Sequence, residues 1–218
     1  MVLKQNDFVE FTYTGMFKDG EIFDTTDEET AKKNHLYNTE MKYGPKVCIL
    51  GKGVFLKGLE EALIGKETGK HHIELPAEKA FGQPNPKLRQ LLSTGQFRKQ
   101  NINPRPGLQV NIDGAVGLVR TVSGGRTLVD FNHPFAGKDV SYDITVQKVI
   151  TDTKEKADAI IQILQIDARA TVENEKITLT IKKEIGKEGE EFIIKELKEL
   201  TGKETEIKVE KTEEGSKK

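Results

Sequence analysis

Residues 7–14, DFVEFTYT, alternate apolar and polar side chains with Val9, Phe11 and Tyr13 on one face, which is the period of a half-buried strand. Gly15 and Asp19-Gly20 then read as turns. The next period is helical. GVFLKGLEEALIG puts Phe55, Leu56, Leu59, Ala62 and Leu63 on one stripe, with Gly53 before it and Gly65 after it. KHHIEL ahead of Pro76 predicts a strand, and DVSYDITVQKVI, alternating Val140, Tyr142, Ile144 and Val146, predicts the clearest strand of all. The first part of the chain is therefore a sheet with one short helix.

The pattern changes twice. From Pro84 the run PNPKLRQLLSTGQFRKQNINPRPG contains four prolines, which disfavour long regular structure. LQVNID, AVGLVRTVS and RTLVDF follow, separated by Gly114 and Gly124-Gly125, and predict a small antiparallel unit. Alternation alone leaves Val110, Ile112, Val116, Leu118 and Val129 open as core or as a surface for other chains. From Thr153 the order is helix, strand, strand, helix, strand, the pattern of a small separate α+β domain that folds by itself. These shifts divide the 218 residues into 1–83 with 132–152, an insert at 84–131, and a C-terminal domain at 153–218.

Composition narrows the function classes. Hydrophobic residues make up 35% and charged residues 32%, so any core is small. The 34 basic and 35 acidic residues nearly cancel, which argues against a protein built around nucleic-acid affinity. The insert alone is basic, but its arginines are scattered and only Phe97 and Phe131 are there to stack, so a solvated face is the better reading than an RNA site. Cys48 is the single cysteine; no intrachain disulfide can form, and its place in VCIL reads as a buried small hydrophobe. His35, His71, His72 and His133 are dispersed, and adjacent His71 and His72 would face opposite sides of a strand, so no metal site is expected. No leader pattern or long apolar run is present, which predicts a cytoplasmic chain that does not enter membranes.

Three strings, VEFTYTGMFKDGEIFDTT, LGKGVFLKGLEEALIGKETGKHHIELPAEKAFG and NHPFAGKDVSYDITVQKV, resemble in order and spacing the FKBP-type peptidyl-prolyl cis-trans isomerases. NHPFAGK after an inserted segment is similar to the SlyD-like branch, whose insert-in-flap domain interrupts the barrel and binds unfolded chains. The resemblance covers residues 1 to about 152. Residues 153–218 resemble, more loosely, the extra C-terminal domain of long archaeal members. The resemblance implies an α+β fold: an antiparallel half-barrel sheet wrapped on a short helix, a mostly-β insert and an α+β C-terminal domain. It also implies accelerated folding at X-Pro bonds, capture of unfolded polypeptides by the insert, and no cofactor. Homo-oligomerisation through the C-terminal domain is left open.

Carried over by resemblance, the pocket consists of Tyr13, Phe23, Asp24, Phe55, Leu56, Leu59, Phe81 and Tyr142. Tyr13 and Asp24 would form its polar edge, Leu59 its floor, and the rings at 23, 81 and 142 its walls. The Leu56 N–H, in a helix's first turn, would bind the prolyl-side carbonyl. Without the matched strings, core would be the default for Tyr13, Phe55 and Tyr142, and Asp24 would read as a turn former. Leu59 stands where macrolide-sensitive members have Trp, and Lys46 and Cys48 where they have Phe, which implies a wider pocket. The His- and Cys-rich metal-binding tail of some relatives has no counterpart in EKTEEGSKK. The alternative reading is a holdase or assembly chaperone with a weak or vestigial pocket.

Overall fold

A computed structural model describes residues 1–182 and 184–210; the EEGSKK end lies outside them. Contacts group the chain into two compact units, Leu75–Val140 and the remainder. The chain begins with β1 (Phe8–Phe17), β2 (Ile22–Thr25), α1 (Glu28–Lys33), β3 (Lys46–Ile49), α2 (Lys57–Leu63) and β4 (Gly69–Leu75). Burial along β1 alternates as its sequence requires, with Phe11, Tyr13, Gly15 and Phe17 all facing inward. Gly15 is therefore not a turn. It lies mid-strand opposite Asp24, and a Cβ there would stand 2.8 Å from the Phe23 ring and 2.9 Å from the Tyr142 ring. The reversal comes later, at Gly20, whose N–H donates to the Phe17 carbonyl and whose φ is +87°.

Two further elements depart from the sequence pattern. α1 forms because the Asp27 carboxylate accepts the Thr30 N–H at 2.8 Å, capping a polar turn in which only Ala31 is buried, too little to register as a period. α2 starts at Lys57 with Leu56 as its N-cap residue, so the expected stripe begins two residues too early at Phe55. Gly51 and Gly53 hold φ of +84° and +71°, and the chain between them and Lys57 is loop.

The second unit contains β5 (Arg89–Ser93), α3 (Thr94–Lys99), β6 (Gln109–Ile112), β7 (Ala115–Ser123) and β8 (Arg126–Asp130). They form an antiparallel sheet ordered β5-β8-β7-β6. β5 is short because α3 starts at once after it, α3 is capped at Gln100 ahead of Asn101 with φ of +57°, and β5 adds a fourth strand to the three that alternation shows. Phe97, Val110, Val119 and Val129 are its core, Ile112 and Leu118 are partly buried, and Val116 is exposed. Asp130, 3% exposed, accepts Arg89 Nε at 3.3 Å, Arg120 Nε at 3.2 Å and both nitrogens of Asn132.

After β9 (Val140–Ile150) come α4 (Thr153–Ile163), β10 (Ala168–Glu173), β11 (Lys176–Ile181), α5 (Lys187–Thr201) and β12 (Glu204–Val209), the order read from the sequence. One sheet runs β2-β1-β9-β4, with β3 on β1 as well; β2 and β3 pair with opposite ends of the same strand. In the C-terminal segment β10 is antiparallel to β11, and α5 carries the chain across so that β12 joins β11 in parallel. Ile160, Leu179, Ile193 and Leu197 form one apolar cluster with Phe8, Ile49 and Ile150, so the C-terminal segment shares its core with β1, β3 and β9.

Asp130 gives a pH test. Burial opposes its ionisation, but the Asn132 hydrogen bonds and the Arg120 guanidinium outweigh burial and hold the carboxyl below its usual range. A depressed folded-state value means stabilisation that is present above the ordinary carboxylate range and lost as pH falls through the folded value. Asp130→Asn should destabilise the 75–140 unit at pH 7 and flatten its loss of stability below about pH 4, read by amide exchange across pH.

Candidate active site

The inward face of β1 and the adjoining strands bring most of the expected residues together. Tyr13 Oη donates to Asp24 Oδ2 at 2.7 Å, joining β1 to β2. The Tyr13 ring lies 4.8 Å from Phe55 and 5.9 Å from Tyr142, and Tyr142 meets Phe55 at 6.0 Å and Phe23 edge-on at 5.8 Å. Edge-to-face spacing of this kind is favourable beyond burial alone. Phe23, Asp24, Phe55 and Leu56 are half-buried, whereas Leu59 is fully buried in the first turn of α2. Phe81 belongs to the second unit, where its ring stacks on His133 at 4.5 Å and 3° and meets Phe135 edge-on at 5.3 Å.

Protonation is simple here. Burial, the Asp24 hydrogen bond and the Asp24 charge push the Tyr13 phenol far above its ordinary value, and burial followed by the same charge does so for Tyr142. Both remain neutral, and Tyr13 remains a donor, throughout the physiological range. Burial, reinforced by the Glu60 charge, pushes the Cys48 thiol up to about 12, so it is inert. Cys48 and Lys46 lie on β3 opposite Val9 and Phe11. Among the described residues no group of three or more His, Cys, Asp or Glu is arranged to hold a metal ion.

Sequence reasoning missed Glu60. It is 1% exposed on α2, and its carboxylate accepts three loop amides: Gly51 and Gly53 on Oε2 at 2.9 Å each, and Phe55 on Oε1 at 2.7 Å. The carboxylate thereby fixes the loop, sets the Phe55 ring over Tyr13, and leaves the Leu56 N–H without a partner among the described residues. Gly15, read as a turn, Phe11, read only as strand face and 5.4 Å from Phe55, and the His133-Phe135 pair beside Phe81 were likewise not assigned to the site. NHPFAG was the signal for the last two.

A half-barrel sheet that gathers a phenol, a carboxylate and several rings around a short helix suits non-covalent handling of an apolar segment. The chain belongs to the FKBP-type peptidyl-prolyl cis-trans isomerases: that family's model matches residues 2–105, and its members isomerise X-Pro bonds. A second model, described as the FKBP26 IF domain, matches residues 90–135. The chain is 33% identical over 149 residues to a short-type peptidyl-prolyl cis-trans isomerase of Methanocaldococcus jannaschii, covering 68% of this chain and 94% of the relative. It is 36% identical over 111 residues to an FKBP-type 16 kDa isomerase of Escherichia coli, covering 48% of this chain and 74% of that one. It is 28% identical over 158 residues to the isomerase SlyD of Treponema pallidum, covering 70% and 81%.

Removing the Glu60 carboxylate leaves three amides unsatisfied. Glu60→Ala should destabilise the protein by at least about 2 kcal/mol in urea unfolding. In a Glu60→Gln protein the amide proton resonances of Gly51, Gly53 and Phe55 should shift upfield together.

Proposed function

We propose that Tyr13, Phe23, Asp24, Phe55, Leu56, Leu59, Phe81 and Tyr142 form the prolyl-binding site, and that residues 84–131 capture unfolded chains for it. The observation that carries the site is the neutral Tyr13–Asp24 edge set against the Phe55, Tyr142 and Phe23 rings. X-Pro isomerisation is slow because twisting the amide loses resonance, with a barrier near 20 kcal/mol. No nucleophile is needed. Moving the amide from water into an apolar recess favours the less polar twisted state, and the Leu56 N–H supplies a hydrogen bond to the carbonyl as conjugation is lost. A gain of about 10⁴-fold requires only about 5.5 kcal/mol.

The insert's surface supports the capture role. Leu88, Leu91 and Val116 are exposed, Leu91 by 56% and Val116 by 53%, and β5 and β6 are edge strands of their sheet. A client held there meets the pocket at a raised effective concentration, a gain that a short peptide cannot share. The proposed division is 1–83 with 132–152 for isomerisation, 84–131 for capture and 153–218 as the C-terminal domain. Among the described residues no helix is long and apolar enough to cross a membrane.

Tyr13→Ala should lower turnover of X-Pro tetrapeptides at least about fivefold, near the 1 kcal/mol of a lost hydrogen bond, with the fold intact by circular dichroism. Unchanged turnover would remove Tyr13 from the site. Wild-type peptide turnover should be flat from about pH 6 to about pH 9, because both phenols titrate well above that window. Leu91→Asp combined with Val116→Asp should slow catalysed refolding of a proline-limited protein and spare tetrapeptides. Equal losses in both assays would refute capture by this surface.

A further inference from the structure

We infer that the C-terminal segment is a positioning element of the isomerase site: α4 and α5 brace the loop Gly51–Phe55 through Lys52 and Val54. The inference rests on the reading of Phe55 and Leu56 as site residues. The loop has two sides. On one, Glu60 takes the N–H groups of Gly51, Gly53 and Phe55. On the other, Val54 packs against the apolar cluster of Ile160, Leu197 and Leu200, and Ile49, where β3 ends before the loop, belongs to that cluster.

A polar contact adds direction to this packing. Lys52 Nζ lies 3.3 Å from Glu196 Oε2 and 3.7 Å from Glu199 Oε1. The two carboxylates stand three apart on α5, so one helix face presents both to a single ammonium. The Lys52 and Glu196 side chains are each about three-quarters buried, which lowers screening relative to an open surface pair. A groove of about 350 Å³ remains beside the contact, lined by Val54, Ile163, Leu164 and Phe192 among others. The loop therefore has room to shift toward α4 and α5 unless the ion pair and Val54 hold it.

The consequence falls on catalysis. Phe55 is three residues from Lys52, and the Leu56 N–H is four. A misplacement of about 1 Å at a reacting group can cost as much as 10²-fold in rate, so a brace that acts on the loop acts on turnover without touching substrate. Glu60 and the Lys52 N–H bond to the Ile49 carbonyl tie the loop's backbone on one side, and the Lys52 and Val54 side chains tie it to α4 and α5 on the other.

The test uses full-length variants with tetrapeptide kcat/KM, melting temperature, and amide exchange at Gly53 and Phe55. Glu196→Ala with Glu199→Ala, and separately Lys52→Ala, should each lower kcat/KM about two- to fivefold and speed exchange at both amides. Combining all three should add nothing further, since they remove one contact. Lys52→Glu with Glu196→Lys should recover most of the loss, which general destabilisation would not allow. Glu204→Ala removes the Lys198–Glu204 pair of the same segment and should change neither turnover nor loop exchange. Unchanged kcat/KM in the Lys52 and Glu196/Glu199 variants, with Phe55→Ala still impaired, overturns the brace and leaves the site reading standing. Unchanged turnover in Phe55→Ala overturns the site reading and the brace with it.

Discussion

A carboxylate buried inside a small protein is costly unless its charge is met, and the arrangement around Glu60 follows from that constraint. The loop Gly51–Phe55 has the reciprocal problem, because its two left-handed glycines turn amides inward where neither helix nor strand can accept them. Each need answers the other. Three N–H groups on two oxygens stabilise the charge without a cation, and the loop gains a single shape. The start of α2 at Lys57, the Phe55 ring over Tyr13 and the unspent Leu56 N–H are consequences of that exchange.

The same constraint explains what could be read in the sequence. β1 and β9 were legible because one face of each is buried, and the period of two then places Tyr13 and Tyr142 inward without further knowledge. Resemblance was needed to separate a pocket wall from core, since a ring facing inward satisfies both. Glu60 was illegible because periodicity sorts positions by polarity and assigns any Glu to the solvent side. Only the three amides opposite it make burial tolerable, and these come from a loop with no period. Gly15 failed for another reason: a glycine marks either a turn or a close approach, and the Phe23 and Tyr142 rings decide it only in three dimensions.

The pocket's chemistry is that of exclusion. Asp24 lies beside a phenol that cannot lose its proton in the physiological range, and the single thiol nearby is held protonated. Such groups hydrogen-bond but do not attack. On the proposed site reading, Leu59, Lys46 and Cys48 put no ring at the floor or on β3. The rings that remain are contributed by β1, by β2, by the chain leading into α2, and by β9. The geometry therefore depends on strand register and on the loop more than on any one large side chain.

The two additions to the half-barrel are attached in physically different ways. The insert is closed at its neck: Gly137 N–H donates to the Gly82 carbonyl at 2.8 Å, Asn85 N–H to Asn132 Oδ1 at 2.7 Å, and Asn132 Nδ2 to the Asn85 carbonyl at 3.1 Å. A closed neck holds the ends of a long insertion together, so loop-closure entropy is met by local bonds and the insert keeps its own core of Phe97, Val119 and Val129. The C-terminal segment has no such neck. It is joined by α4, capped by Asp152, and its apolar cluster runs into Phe8, Ile49 and Val54. An element with a private core can change its surface without disturbing its neighbour. An element that shares a core transmits displacement, because packed interiors yield little volume. Changes on the C-terminal segment are thus felt at the loop that carries Phe55.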